Sequence, residues 1–143
     1  MRLSCQKALC LVALVTISCT DSSGPKTVAM QFALENINGR SLPTYLAPTP
    51  GATPTIISNT LILYKDGTAA TTEHRIDWDG TERTVTYQQH YTIKGAIIEF
   101  AYDCPPGADC IAPPRGTIVG NHLALDVSGG AGSIIFNYNA TSE

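Results

Sequence analysis

The chain has 143 residues, 43% of them hydrophobic, with nine Lys/Arg against twelve Asp/Glu and a formal charge of −3. That length makes one ordinary domain with a core of its own. The basic residues are scattered singly, and a chain without a cationic stripe is not built to grip nucleic-acid phosphates.

Arg2 and Lys7 bracket a short cationic start, and residues 8–17 follow as an apolar run. The run is too short for a bilayer span, which needs about 20 residues, and has the length of a signal-peptide core. It ends in Thr16-Ile17-Ser18-Cys19, a small residue directly before a cysteine. This junction resembles the lipobox of bacterial lipoproteins, although Thr16 stands where that family prefers Leu. The resemblance implies that residues 1–18 are a signal peptide and that the Cys19 thiol receives a diacylglycerol. Cys19 then becomes an acylated N-terminus in the cell envelope, on the periplasmic or extracellular side. Two or more acyl chains hold a protein stably on a membrane, and residues 20–26 read as a flexible tether. Loss of residues 1–18 removes Arg2 and Lys7 and no acid, leaving seven Lys/Arg against twelve Asp/Glu.

Residues 27–143 form the expected domain. No stretch has a capped helical period, whereas Thr, Val, Ile and Tyr are plentiful between Gly, Asn, Asp and Pro, which is a β pattern. Val28, Met30, Phe32 and Leu34 alternate in a first strand, and Asn38-Gly39 turns the chain. Residues 42–55 hold four prolines and read as a loop or edge segment, because proline lacks a ladder donor. A second strand follows over 56–65, with Asp66-Gly67 as its turn.

Residues 68–78 and 81–93 then read as a hairpin about a two-residue Asp79-Gly80 loop. That register sets Thr72 opposite Tyr87 and His74 opposite Val85. The expected inner face is Ala70, Thr72, His74, Ile76 and Trp78 with Val85, Tyr87, Gln89, Tyr91 and Ile93. The expected wet face is Ala69, Thr71, Glu73, Arg75 and Asp77 with Glu82, Thr84, Thr86, Gln88 and His90. A slip of one residue would exchange the faces of one strand. Lys94-Gly95 leads into strand five over 96–102, with Ile98, Phe100 and Tyr102 on one face. Short strands at 116–119, 122–127 and 133–139 complete about eight, joined by Gly120-Asn121 and Ser-Gly-Gly-Ala-Gly turns.

Consecutive hairpins make a meander, and a meander of this size removes its open edges by closing on itself. The expected fold is all-β: a roughly eight-stranded antiparallel up-and-down meander forming a small barrel, which can hold side chains only or one small ligand. The strand order and the long Pro-rich first loop are similar to a lipocalin-like barrel over residues 28–139. Phe32-Ala33-Leu34 stands where lipocalins carry Gly-x-Trp, so the resemblance bears on the fold rather than on a ligand. Cys104 and Cys110 flank Pro-Pro-Gly-Ala-Asp, turn chemistry in an exported chain, and are expected to form a disulfide. A metal site there would lack its further ligands.

Motifs of chemistry are scarce. Asp77 to Glu82 resembles part of a calcium loop, but Arg75 and Thr86 fall where such a loop needs acids. No Walker-type phosphate loop or Gly-x-Ser-x-Gly elbow occurs, and the three histidines are far apart. The expectation is therefore a non-enzymatic protein without metal or cofactor. The polar groups on the inner hairpin face, Thr72, His74, Tyr87, Gln89 and Tyr91, are the candidate wall of a ligand cavity, because unpaired buried polar groups cost about 1–3 kcal/mol each. The competing expectation is a filled barrel that serves as a structural or protein-interaction module. The expected partners are a membrane, through the lipid, and a small molecule or an envelope protein.

Overall fold

The computed structural model describes residues 25–46, 53–101, 112–127 and 134–141. Ten strands are present: β1 (Val28–Ile37), β2 (Arg40–Ser41), β3 (Thr44–Tyr45), β4 (Thr55–Tyr64), β5 (Thr68–Ile76), β6 (Glu82–Lys94), β7 (Ile97–Ala101), β8 (Arg115–Val119), β9 (His122–Asp126) and β10 (Ile135–Ala140). From β4 to β10 each strand pairs antiparallel with the next. β10 pairs with β1, and β1 pairs with β4. The last pairing closes the sheet into an eight-stranded up-and-down barrel of lipocalin-like form. The two-residue strands β2 and β3 extend the edges of β1 and β4. β3 comes from the segment expected to be a loop or an edge, and β2 directly precedes it.

Period-two alternation builds the interior. Phe32 and Leu34 from β1, Leu61 and Leu63 from β4, Ile98 and Phe100 from β7, Leu123 and Leu125 from β9, and Phe136 and Tyr138 from β10 join one buried cluster. Asn38-Gly39 makes the expected tight turn, with φ of 52° and 78°, the left-handed pair that a two-residue hairpin loop demands. Asn38 also donates its N–H to the Ile135 carbonyl at 2.9 Å and accepts from the Ile135 N–H through its side chain at 2.8 Å. This stitches the β1 turn to β10.

The β5–β6 hairpin departs from expectation by one residue. Its loop has three residues, Trp78-Asp79-Gly80: the Asp77 N–H bonds the Thr81 carbonyl, and the Gly80 N–H bonds the Asp77 carbonyl, both at 2.9 Å. Gly80 has a φ of 79°, and Asp79 Oδ1 accepts the Thr81 N–H at 2.9 Å. A glycine in the left-handed region at the third loop position is the usual form of this longer hairpin. Thr71 therefore stands opposite Tyr87, Glu73 opposite Val85 and Arg75 opposite Arg83. The faces of β6 are as expected, but those of β5 are exchanged. Ala69, Thr71, Glu73 and Arg75 turn into the barrel, while Thr72, His74 and Ile76 turn outward, and Trp78 is 77% exposed at the tip.

Strand direction defines two ends. The turns at Asp66-Gly67, Lys94-Gly95 and Gly120-Asn121 lie at one end with Lys26. Lys26 Nζ donates to Thr68 Oγ1 at 2.8 Å and lies 5.3 Å from the centre of the Tyr64 ring. The β5–β6 tip and the Asn38-Gly39 turn lie at the other end, which is the mouth.

Candidate functional site

Above the apolar floor the interior becomes polar, and a cavity of about 270 Å³ opens there. Leu46, Leu125, Val127 and Phe136 form an apolar wall. Asn59, Thr71, Glu73, Arg75, Tyr87, Gln89 and Tyr138 supply the polar one. The elements divide this labour. β4 and β5 contribute Asn59, Thr71, Glu73 and Arg75, β6 contributes Tyr87 and Gln89, and β9 and β10 contribute Leu125, Phe136 and Tyr138.

The polar wall is a connected chain. The buried Tyr138 hydroxyl donates to Asn59 Oδ1 at 3.0 Å, and Asn59 Nδ2 donates to Glu73 Oε2 at 3.3 Å. Arg75 NH1 donates to Glu73 Oε1 at 3.2 Å and to the Tyr87 hydroxyl at 3.0 Å. Arg75 Nε lies 2.8 Å from Asp77 Oδ1, a charge contact without hydrogen-bond alignment, and Arg83 Nε lies 3.1 Å from Asp77 Oδ2. Two acids and two guanidinium groups thus neutralise one another from inside the barrel to its rim. Burial would lower the Arg75 pKa, but the Glu73 hydrogen bond and the Tyr87 and Asp77 charges outweigh it, and the net shift is upward.

The Gln89–Thr71 pair stands apart from this chain, and Tyr87 ends it. Gln89 Nε2 donates to Thr71 Oγ1 at 3.1 Å, while Gln89 Oε1 is buried and accepts nothing among the described residues. The Tyr87 side chain is 41% exposed, and its oxygen is occupied as an acceptor by Arg75.

Burial, and then the Glu73 charge, push the Tyr138 phenol well above its usual range. The unfolded chain loses its tyrosine protons above about pH 10, whereas folded Tyr138 keeps its own. The resulting stability is full below pH 10 and is lost as pH rises towards the folded value. Urea titrations at pH 9 and pH 11 should show the native chain losing about 1.4 kcal/mol more than Tyr138→Phe over that interval, most of it above pH 10. Equal losses would place the phenol in contact with water.

Of the five residues expected on the ligand wall, Tyr87 and Gln89 line the cavity. Thr72 and His74 do not, because the three-residue turn rotates β5. Thr72 Oγ1 faces Thr86 Oγ1 at 3.3 Å on the outer surface, and His74 Nε2 lies 2.6 Å from Glu82 Oε1 there. Tyr91 points inward but lies deeper, against Phe100 with ring centres 6.5 Å apart, donating its hydroxyl to the Tyr64 carbonyl at 2.7 Å. Burial raises its pKa, helped by the Asp66 charge. Asn59, Thr71, Glu73, Arg75 and Tyr138 were not expected on this wall. Their signal is the acid-base-acid alternation Glu73-x-Arg75-x-Asp77 facing Arg83, which satisfies itself only in the observed register.

Among the described residues no three His, Cys, Asp or Glu side chains gather as a metal site, and no helix is long and apolar enough to cross a membrane. Cys19, Cys104 and Cys110, with residues 1–18, the expected signal peptide, lie outside the described residues. The fold and cavity define an antiparallel eight-stranded barrel with a partly polar mouth. Comparison of the chain with protein-family models, with curated proteins and with solved structures finds no match in any of the three.

Proposed function

We propose that this chain is a lipid-anchored, non-enzymatic barrel of the bacterial cell envelope that takes up a small molecule at its mouth. The observation that carries the binding reading is the cavity of about 270 Å³, apolar on one wall and polar on the other. This is the usual composition of a small-molecule site, and its size falls just below the usual range of about 300–1,000 Å³. The competing proposal, a structural or protein-interaction module, would treat the same polar wall as mere internal pairing.

An uncharged fluorescent amphiphile, N-phenyl-1-naphthylamine, separates the two. Binding is expected to brighten its emission, and Tyr87→Ala or Gln89→Ala should weaken uptake with little change in thermal unfolding. Variants that unfold early, with no uptake by the native chain, favour the structural module.

The anchor rests on the Ser18-Cys19 junction and agrees with the geometry of the barrel. Lys26 is held at the end opposite the mouth by Thr68, Asp66 and Tyr64. Seven residues of extended tether reach about 25 Å, so a lipid on Cys19 would hold the cavity facing away from the membrane. Lys26, Lys65 and Lys94 belong to the membrane-side end, where cations favour anionic lipid. Cys19→Ala is expected to move the protein from the membrane to the soluble fraction, and continued membrane retention would reject the anchor. The proposal includes a Cys104–Cys110 disulfide, which two freely titrating thiols at those positions would exclude.

A further inference from the structure

The hydrogen-bonding state of the cavity wall narrows the ligand, given the binding reading above. Among the described residues, Glu73 and Arg75 are the only charged side chains lining the cavity, and they hold each other at 3.2 Å. Arg75 is also shared with Asp77. No counter-charge is left over among the described residues, and an ion entering the cavity would lose water without gaining a partner there, which is unfavourable.

Arg75 Nε and Asp77 Oδ1 also lack an aligned hydrogen bond, but they face each other as opposite charges at 2.8 Å, and the groups left over beside them are neutral. Gln89 Oε1 accepts nothing among the described residues and has almost no exposed surface of its own, so a ligand donor meets it when the Gln89 amide turns about its soft terminal torsion. An orphaned acceptor of this kind is costly until a donor reaches it. The hydroxyls of Tyr87 and Thr71 already accept, from Arg75 and from Gln89. Their own hydrogens have no acceptor among the described residues and line the same cavity. Tyr87 and Gln89 are two residues apart on β6, so both project from one face. The wall therefore offers one carbonyl acceptor and hydroxyl donors beside it, opposite the apolar surface of Leu125, Val127 and Phe136.

We infer that the cavity selects an uncharged amphipathic molecule bearing an amide-like group. The ligand's N–H donates to Gln89 Oε1, its carbonyl accepts from the Tyr87 hydroxyl, and its apolar body lies on the Leu125, Val127 and Phe136 wall. Charged analogues of the same size are discriminated against.

Four probes of matched size test this by calorimetric titration of the full chain: benzamide, toluene, benzoate and benzylammonium. Benzamide is expected to bind about tenfold more tightly than toluene, the return from two modest net hydrogen bonds. Benzoate and benzylammonium should bind more weakly than benzamide. In Gln89→Leu the preference for benzamide over toluene should disappear while toluene still binds. Tyr87→Phe, at an exposed position that the fold tolerates, should reduce the same preference. Equal binding of toluene and benzamide overturns the inference, as does tightest binding of either ion or a preference that survives both substitutions. These results leave the binding reading standing. Failure of all four probes and of N-phenyl-1-naphthylamine removes the binding reading itself, and the ligand class with it.

Discussion

Glu73→Ala is expected to cost the barrel about 2–3 kcal/mol. Glu73 is 8% exposed and accepts from Asn59 on one oxygen and from Arg75 on the other. Its removal leaves a guanidinium and a carboxamide facing each other inside the barrel without their shared acceptor. Breaking a buried pair costs about 3–5 kcal/mol. The lower figure applies because the Arg75 side chain keeps 23% exposure at the mouth and water can reach it. Glu73→Gln retains one acceptor oxygen and should cost about half as much. The comparison is made by urea unfolding near neutral pH. A loss below about 0.5 kcal/mol for the alanine variant, the range of ordinary surface changes, would mean that Glu73 faces water.

Gly116→Val should be at least as damaging, at about 3 kcal/mol or more, for a steric reason. Gly116 is buried in β8 opposite Leu125. A Cβ added there would meet the Ala124 carbonyl oxygen at 2.6 Å, the Leu123 Cδ1 at 3.0 Å and the Leu125 Cα at 3.2 Å. Two of these three atoms are backbone of the neighbouring strand, fixed by the ladder. A glycine in a strand interior is ordinarily a weakness, so intrinsic propensity favours the substitution and the clash opposes it. Overpacking of this kind costs about 1–3 kcal/mol for one added group. Gly116→Ala should therefore lie near 2 kcal/mol, with valine beyond it. Thr117→Ala, one residue along on the exposed outer face, should stay within about 0.5 kcal/mol. Thermal unfolding of the three variants gives the ranking. An alanine variant as stable as the native chain would mean that β8 and β9 are not packed as described.

The strands themselves were legible because side-chain alternation and turn residues are local signals. Phe32 and Leu34, Ile98 and Phe100, and Leu123 and Leu125 alternate with polar or small neighbours, and each pair is buried as that pattern implies. Asn38-Gly39, Asp66-Gly67, Lys94-Gly95 and Gly120-Asn121 mark turns whose glycines all take positive φ. The β5 face was not legible. Ala69-Ala70 and Thr71-Thr72 are doublets that fit either side. The next two pairs, Glu73-His74 and Arg75-Ile76, point the wrong way if burial is judged by polarity alone. A charged residue can face a barrel interior when its partners come with it, and Glu73, Arg75, Asp77 and Arg83 arrive together. Two of the five residues expected on the wall, Tyr87 and Gln89, therefore line the cavity from β6, while Thr72 and His74 were assigned to the wrong side of β5.

By itself, then, the sequence determined the class of fold, the number of principal strands and the apolar floor of the barrel. Each of these follows from patterns repeated every two residues or from single turn positions. Only the tertiary structure decided the β5–β6 register and the polar wall of the cavity. The loop gains its third residue because Gly80 adopts a left-handed backbone and Asp79 caps Thr81. That small local choice prevails because it lets four charges and a buried carboxamide satisfy one another across separate strands. Complementarity of that kind joins residues far apart in the chain, and no local pattern can register it.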